Sequence, residues 1–269
     1  MSVLLHISDT HFGTEQPQVV RALMTLALEQ RPDVVVLSGD ITQRASEEQF
    51  RAARAFTDRL GAPVLAIPGN HDIPLLDVFA RIFGPHARYK AAFGADIEPV
   101  YNSQDMLVAC VNTTRRYRHV DGEVSEAQID RVAALLSSAR AEQLRVVVVH
   151  QPIAVVRAQD APDLLRGHRR AQQRWAAAGA DVVLGGHIHL PYAVQVPDVA
   201  RPMWVVQAGT AVSLRVRPGV PNSVNVLRWG QSEVPACFRT EQWDFDVVSQ
   251  AFTCGKVTLM HTVRTVHSL

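Results

Sequence analysis

Cysteine is scarce in this chain: Cys110, Cys237 and Cys254 are the only three in 269 residues, widely spaced and without a C-x-x-C pair. That number and spacing argue against a disulfide framework and for a reducing compartment, so a cytoplasmic location is expected. Net charge is also lacking, with 27 Lys and Arg against 26 Asp and Glu. A balanced chain offers no broad field for nucleic acid or an anionic membrane, and neither partner is expected. No apolar stretch approaches the roughly 18 residues needed to span a bilayer. From Met1 the chain runs directly into Val3-Leu4-Leu5-His6-Ile7 with no basic leader or small-residue cleavage site, so no signal peptide is expected. Low-complexity tracts, internal repeats and linkers are missing as well. What remains is globular in composition, 47% hydrophobic and 20% charged, and 269 residues suffice to bury a large core.

Short apolar runs rich in β-branched residues alternate with amphipathic stretches through the first 190 residues. Val3–Ile7, Val34–Leu37, Val64–Ile67, Val146–Val149 and Val182–Leu184 have the continuous character of strands buried on both faces. Between them, Ser46 with Gln49 and Ser125 with Gln128 read as capping boxes opening helices. Gly61 and Gly179 stand where left-handed C-caps are expected, and helical patterns near 18–30 and 164–178 complete the alternation. The segment 102–112 predicts an extra strand, in a hairpin with the segment before it. Beyond about residue 190, strands are predicted over 194–196, 203–207, 223–229, 237–244 and 257–266, without helices between. These predict a largely antiparallel sheet joined to the first half. The expectation is an α/β chain with one domain over residues 1–269, its last 30 or so residues forming a cap or an interface arm.

The informative residues stand at the carboxyl end of each buried strand. Asp9-Thr10-His11 follows the first, Gly39-Asp40 the second and Gly69-Asn70-His71-Asp72 the third. His150 follows the fourth, and Gly185-Gly186-His187-Ile188-His189 the last. In an open α/β sheet, ligands bind beyond the carboxyl ends of the strands. Each residue alone has an ordinary structural explanation: Asp as a cap or turn former, Gly-Asn-His-Asp as a tight turn, His150 as a core histidine. Five separate strand exits carrying aspartate, histidine and asparagine together point instead to a metal site. Oxygen and imidazole donors without a thiolate suit Mn²⁺, Fe²⁺/Fe³⁺ or Zn²⁺.

Asp-x-His, Gly-Asp, Gly-Asn-His-Asp, a lone His and Gly-His-x-His, in this order, resemble the calcineurin-like metallophosphoesterases, and within them the bacterial class III cyclic-nucleotide phosphodiesterases. The intervals agree, with 31 positions from Asp9 to Asp40 and 30 from Asp40 to Asn70. The resemblance covers roughly residues 3–210 and implies a four-layer αββα sandwich of two mixed β-sheets flanked by helices. It implies that two metal ions are held, one by Asp9, His11 and His189 and the other by Asn70, His150 and His187, with Asp40 bridging them. A bridging carboxylate has two oxygens and offsets the repulsion between two cations. His71 belongs to neither set and is expected to act as general acid or electrostatic stabiliser, with Asp72 orienting it; Asn70 and His71 are also expected to meet the substrate. The implied activity is hydrolysis of a small-molecule phosphodiester, such as a cyclic nucleotide. A phosphomonoesterase, a pyrophosphate hydrolase and a non-catalytic scaffold of the same fold are the alternatives.

Two further features bear on the outcome. His150 is followed by Gln151-Pro152 where related proteins often carry a second histidine, which alters polarity near the substrate rather than metal binding. Arg215 and Arg217 follow the expected site loop Gln207-Ala208-Gly209-Thr210; they either contact a phosphate or are solvated surface arginines. The apolar late strands would allow a homodimer.

Overall fold

The structure is a computed structural model and describes residues 1–75, 77–230 and 237–263. The first half is built of β1 (Ser2–Ile7), α1 (Pro17–Gln30), β2 (Val34–Leu37), α2 (Glu47–Thr57), β3 (Val64–Ala66), α3 (Val78–Phe83), α4 (Ala87–Phe93), β4 (Val100–Asn102) and β5 (Met106–Cys110). Then come α5 (Glu126–Ser137), β6 (Leu144–Val148), α6 (His168–Ala178), β7 (Val182–Gly185), β8 (Tyr192–Gln195), β9 (Trp204–Gln207), β10 (Ser223–Trp229), β11 (Cys237–Asp246) and β12 (Ala251–His261). They form two six-stranded sheets, ordered β12-β11-β10-β1-β2-β3 and β4-β5-β6-β7-β9-β8. Both are mixed: β1, β2 and β3 run parallel while β10 to β12 add antiparallel, and β5, β6, β7 and β9 run parallel between antiparallel edges β4 and β8.

The layering follows from the alternation of side chains along each strand. In β1, Val3, Leu5 and Ile7 pack outward with α1 and α2, while Leu4 turns inward. In β2, Val35 and Leu37 face out, and Val34 and Val36 face in. Across the molecule, Val147 meets α5 and α6 outside, whereas Leu144, Val146 and Val148 face the other sheet. A strand with helices on one face and a second sheet on the other needs apolar residues at every position, hence the unbroken runs. The architecture is the four-layer α/β sandwich of two mixed sheets flanked by helices.

Local signals match in most places. Ser46 Oγ accepts from Gln49 N at 3.2 Å, although the Gln49 side chain reaches to Arg44 N instead of closing the box. Ser125 and Gln128 cap each other reciprocally. Gly179 caps α6 at φ 104°, whereas Gly61, also at positive φ, sits in the turns beyond the end of α2. The expected hairpin is β4–β5.

The late strands depart from the expected arrangement. They divide between the sheets: β10, β11 and β12 extend the first, while β8 and β9 complete the second, with β9 parallel to β7. The strand expected over 257–266 begins earlier, at Ala251, and ends at His261; residues 264–266 lie outside the described residues. No helix among the described residues is long and apolar enough to cross a membrane.

Candidate active site

The exits of β1, β2 and β3 in one sheet and of β6 and β7 in the other open at the same edge of the sandwich, and backbone hydrogen bonds lace them together. Asp9 N donates to Gly39 O at 3.1 Å and His11 N to Asp40 O at 3.0 Å, joining the first two exits. Gly186 N donates to His150 O at 2.9 Å, joining the last two. The two sheets are tied across by the His187 amide, which donates to the Asp9 carboxylate at 3.0 Å, and by His150 Nδ1–H, which donates to Ser38 O at 2.8 Å.

This convergence strains the backbone. Asp9, His11, Asp40, His187 and His189 all have φ between 40° and 75°, five of the nine non-glycine residues in the left-handed region among those described. Such conformations cost free energy and persist where surrounding structure enforces them, commonly at functional sites. Close approach also dictates glycine. At Gly39, φ is 97° and a Cβ would stand 2.5 Å from His150 Nδ1; at Gly69 a Cβ would run into the Asp40 backbone nitrogen and Oδ1.

The side chains meet in two adjoining groups. Asp9, His11 and His189 bring ligand-type atoms within 4.8 Å of one another, and so do Asp40, His150 and His187. Asp40 lies between them: Oδ2 is 3.8 Å from His11 Nε2, and Oδ1 is 3.3 Å from His150 Nε2. Asn70 Oδ1 completes the second group, 3.2 Å from His150 Nε2. All seven residues expected to hold metal are therefore together. His11, Asp40 and His71 form a third overlapping group.

The unpaired atoms test whether a cation fits. His11 has no exposure, and neither of its ring nitrogens has a hydrogen-bond partner; His187 Nδ1 is likewise buried and unpartnered. Buried polar atoms are otherwise almost always satisfied. Thr210 Oγ1–H is committed to Arg215 O at 2.6 Å, so it accepts from His189 Nδ1–H at 2.5 Å, leaving His189 Nε2 to face Asp9 Oδ1 at 3.6 Å. Imidazole nitrogens and carboxylate oxygens thus converge, several of the nitrogens without a hydrogen-bond partner, an arrangement that a metal cation would satisfy.

Protonation follows the same geometry. Burial lowers His11 to about 2, and burial with the neighbouring His150 charge lowers His187 to about 3, so both are neutral. Burial alone would lower His150 too, but the charge and hydrogen bond of Asp40, then Asp9 and the Ser38 carbonyl, raise it to about 9. Against its own burial, Asp40 is held well below the usual carboxylate range by His150 and then His11 and His71. In the metal-free protein a proton on His150 Nε2 therefore faces the Asp40 carboxylate and the Asn70 amide oxygen, the two acceptors that a metal cation would take over from it. The donor set fits a dinuclear group.

A cleft of about 280 Å³ opens over these residues, lined by Asn70, His71, Val120, Asp160, Asp163, His187, His189, Arg215 and Arg217 among others. His71 Nδ1 lies 3.0 Å from the Gln43 carbonyl and therefore carries the hydrogen, which makes Nε2 an acceptor for Arg215 Nη1 at 3.2 Å. Asp72 is adjacent in sequence but does not hold this ring. Its buried carboxylate accepts from Gly69 N, Ile41 N, Thr42 N and Thr42 Oγ1 at 2.8–3.0 Å, clamping the β2 exit to the β3 exit. Gln151 is buried and turned from the cleft, accepting from Thr113 Oγ1 and donating to Val120 O.

Several residues at the site carried no sequence signal. Asp163 lies 3.8 Å from His187 Nε2 on a short helical turn, Ala158–Asp163. Ser38 and Gln43 act through backbone carbonyls, which no side-chain pattern reveals. Thr210 lies in the loop singled out after β9, though its part in holding His189 depends on the fold.

Known proteins resemble this chain in sequence and in fold. The chain is 26% identical over 202 residues to a probable cyclic nucleotide phosphodiesterase of Synechococcus, covering 69% of this chain and 72% of that one. It is 38% identical over 81 residues to the glycerophosphodiester phosphodiesterase GpdQ of Enterobacter lignolyticus, a match spanning 26% of this chain and 29% of that one. The fold superposes on a dimetal phosphatase from Danio rerio with a TM-score of 0.68 at 12% identity, covering 97% and 99% of the two chains. Residues 2–191 match the calcineurin-like phosphoesterase family. With that match over most of its length, the chain belongs to the calcineurin-like phosphoesterase family and is a hydrolase of the metallophosphoesterase type.

Proposed function

We propose that the protein is a dinuclear metal-dependent phosphodiesterase acting on small-molecule diesters, with cyclic nucleotides as the leading substrate class. The observation that carries this reading is the meeting of seven metal-type donors from five strand exits, with buried imidazole nitrogens that have no other partner. In this reading Asp9, His11 and His189 hold one ion, Asn70, His150 and His187 hold the other, and Asp40 serves both. Bound Mn²⁺, Fe²⁺/Fe³⁺ or Zn²⁺ supply Lewis acidity and lower the pKa of the attacking water. The chain's own groups do the rest. Thr210 and the Ser38 carbonyl fix the ring orientations of His189 and His150. Asn70 and His71 face the substrate, and His71 would give a leaving alkoxide a proton or electrostatic support through Nε2 once that nitrogen, an acceptor for Arg215 here, has taken a proton from solvent. Asp72 supports the loops that carry Asp40 and Asn70. The cyclic-nucleotide preference rests on the likeness to the Synechococcus protein; glycerophosphodiesters are the second candidate, after GpdQ. The chain is further read as a single cytoplasmic domain, able to form a homodimer.

The test is metal content measured together with hydrolysis of bis(p-nitrophenyl) phosphate, followed by a panel of cyclic nucleotides, glycerophosphodiesters, monoesters and pyrophosphates. About two metal ions per chain with diester turnover is the expected result. Stoichiometric metal without turnover on any of them would identify a scaffold, and faster turnover of monoesters or pyrophosphates would move the assignment within the family.

A further inference from the structure

Two arginines line the cleft, and they are not equivalent. Arg217 is already neutralised: its two terminal nitrogens donate to the two oxygens of buried Asp160 at 2.5 and 3.1 Å, and Nη1 also reaches Ile188 O at 3.3 Å. Such a bidentate pair is fixed in place. Arg215 has no carboxylate partner among the described residues. Its Nη1 donates to two neutral acceptors, Gln43 Oε1 and His71 Nε2, each at 3.2 Å. A guanidinium remains charged at all working pH and has five N–H donors, so much of this group's capacity is unused. Its backbone is anchored by the Thr210 hydroxyl that also orients His189, which fixes the reach of the side chain relative to the ligand clusters.

An uncompensated, half-buried cation beside the candidate ligand clusters is a site for an anion. Resting on the phosphodiesterase reading above, we propose that Arg215 is a substrate-binding residue of this cleft, taking a non-bridging phosphate oxygen through its guanidinium and releasing His71 Nε2 toward the leaving group. The monoanionic charge of a diester suits a lining guanidinium that has no carboxylate partner among the described residues. Arg217 holds the rim and takes no part in binding.

The experiment compares metal-reconstituted wild type with Arg215→Gln and Arg215→Lys, with metal content and thermal unfolding as controls for folding. Binding of inorganic phosphate is measured by calorimetry, and KM and kcat are measured with bis(p-nitrophenyl) phosphate. Losing a hydrogen bond from a charged donor is expected to weaken phosphate binding and raise KM by about tenfold or more in Arg215→Gln, with a much smaller change in kcat. Arg215→Lys should recover part of the loss, because the charge remains without the fork. Phosphate affinity and KM within about twofold of wild type in both variants would overturn the proposal. So would a fall in kcat with phosphate affinity unchanged, which would mean that Arg215 acts only through His71. Because phosphate binding needs no turnover, an absence of diester hydrolysis in wild type would count against the phosphodiesterase reading alone.

Discussion

Replacing Asp72 with alanine separates two roles that its position beside His71 leaves open. Its fully buried carboxylate accepts three backbone amides, Gly69 N at 2.8 Å, Ile41 N at 3.0 Å and Thr42 N at 2.8 Å, and the Thr42 hydroxyl at 2.8 Å. In Asp72→Ala the hydroxyl can turn to another acceptor, but three amides lose their partner at about 1–3 kcal/mol each. A water admitted to the vacated polar space would recover part of this, so we expect a loss of about 3–6 kcal/mol. At about 2 °C per kcal/mol for a domain of this size, the melting temperature should fall by about 6–12 °C. Asp72→Asn keeps the volume and one acceptor oxygen and should lose about half as much. The assay is calorimetric unfolding of the metal-free variants, beside metal content and diester turnover of the reconstituted ones. A melting temperature within about 2 °C of wild type, with turnover strongly reduced, would refute the clamp and restore Asp72 as the partner of His71.

Four other outcomes are expected from the same geometry. Since His150 keeps a proton up to about pH 9 in the metal-free protein, metal must displace it; apparent affinity, measured against a chromophoric chelator, should rise with pH by up to about tenfold per unit and level off near 9. Flat affinity between pH 6 and 8 would contradict the His150–Asp40 pairing. Thr210→Val removes the acceptor that orients His189 and should weaken metal binding by about 10–100-fold, read by the same competition. Gly69→Ala forces a Cβ into the Asp40 backbone and should reduce metal content and melting temperature together, whereas retention of both would show that the loops can part. Ser46→Ala, whose hydroxyl accepts from Gln49 N and touches no cleft side chain, should cost about 1 kcal/mol through the lost cap of α2, a fall of about 2 °C in melting temperature, with turnover unchanged.

How far the sequence could be read depended on how local each interaction is. The runs at β1, β2, β6 and β7 were legible because a strand covered on both faces admits few polar residues. The ends of those runs were equally legible, because the groups that can bind a metal are few. The caps at Ser46 and Ser125 depend on a partner three residues away, though even there Gln49 turned to Arg44. Less was legible where length or distance intervened. Helices α3 and α4, of six and seven residues, are too short to carry a periodic signal and are stabilised by what they pack against. The late strands were visible as strands, but which sheet would recruit each was not, since a β-pattern does not encode its neighbour.

By itself the sequence determined the class of fold, the strand exits and which seven side chains are proposed as metal donors. Only the tertiary structure decided that both sheets open at one edge, that Asp40 turns one oxygen to each group, and that Asp72 clamps loops while Gln43 and Arg215 hold His71. It also separated Arg217, neutralised by Asp160, from Arg215, which has no carboxylate partner among the described residues. The physical reason is that residue type sets what an atom can bind, whereas its partner depends on distances between remote segments, 178 positions apart between Asp9 and His187, which close only when the core packs.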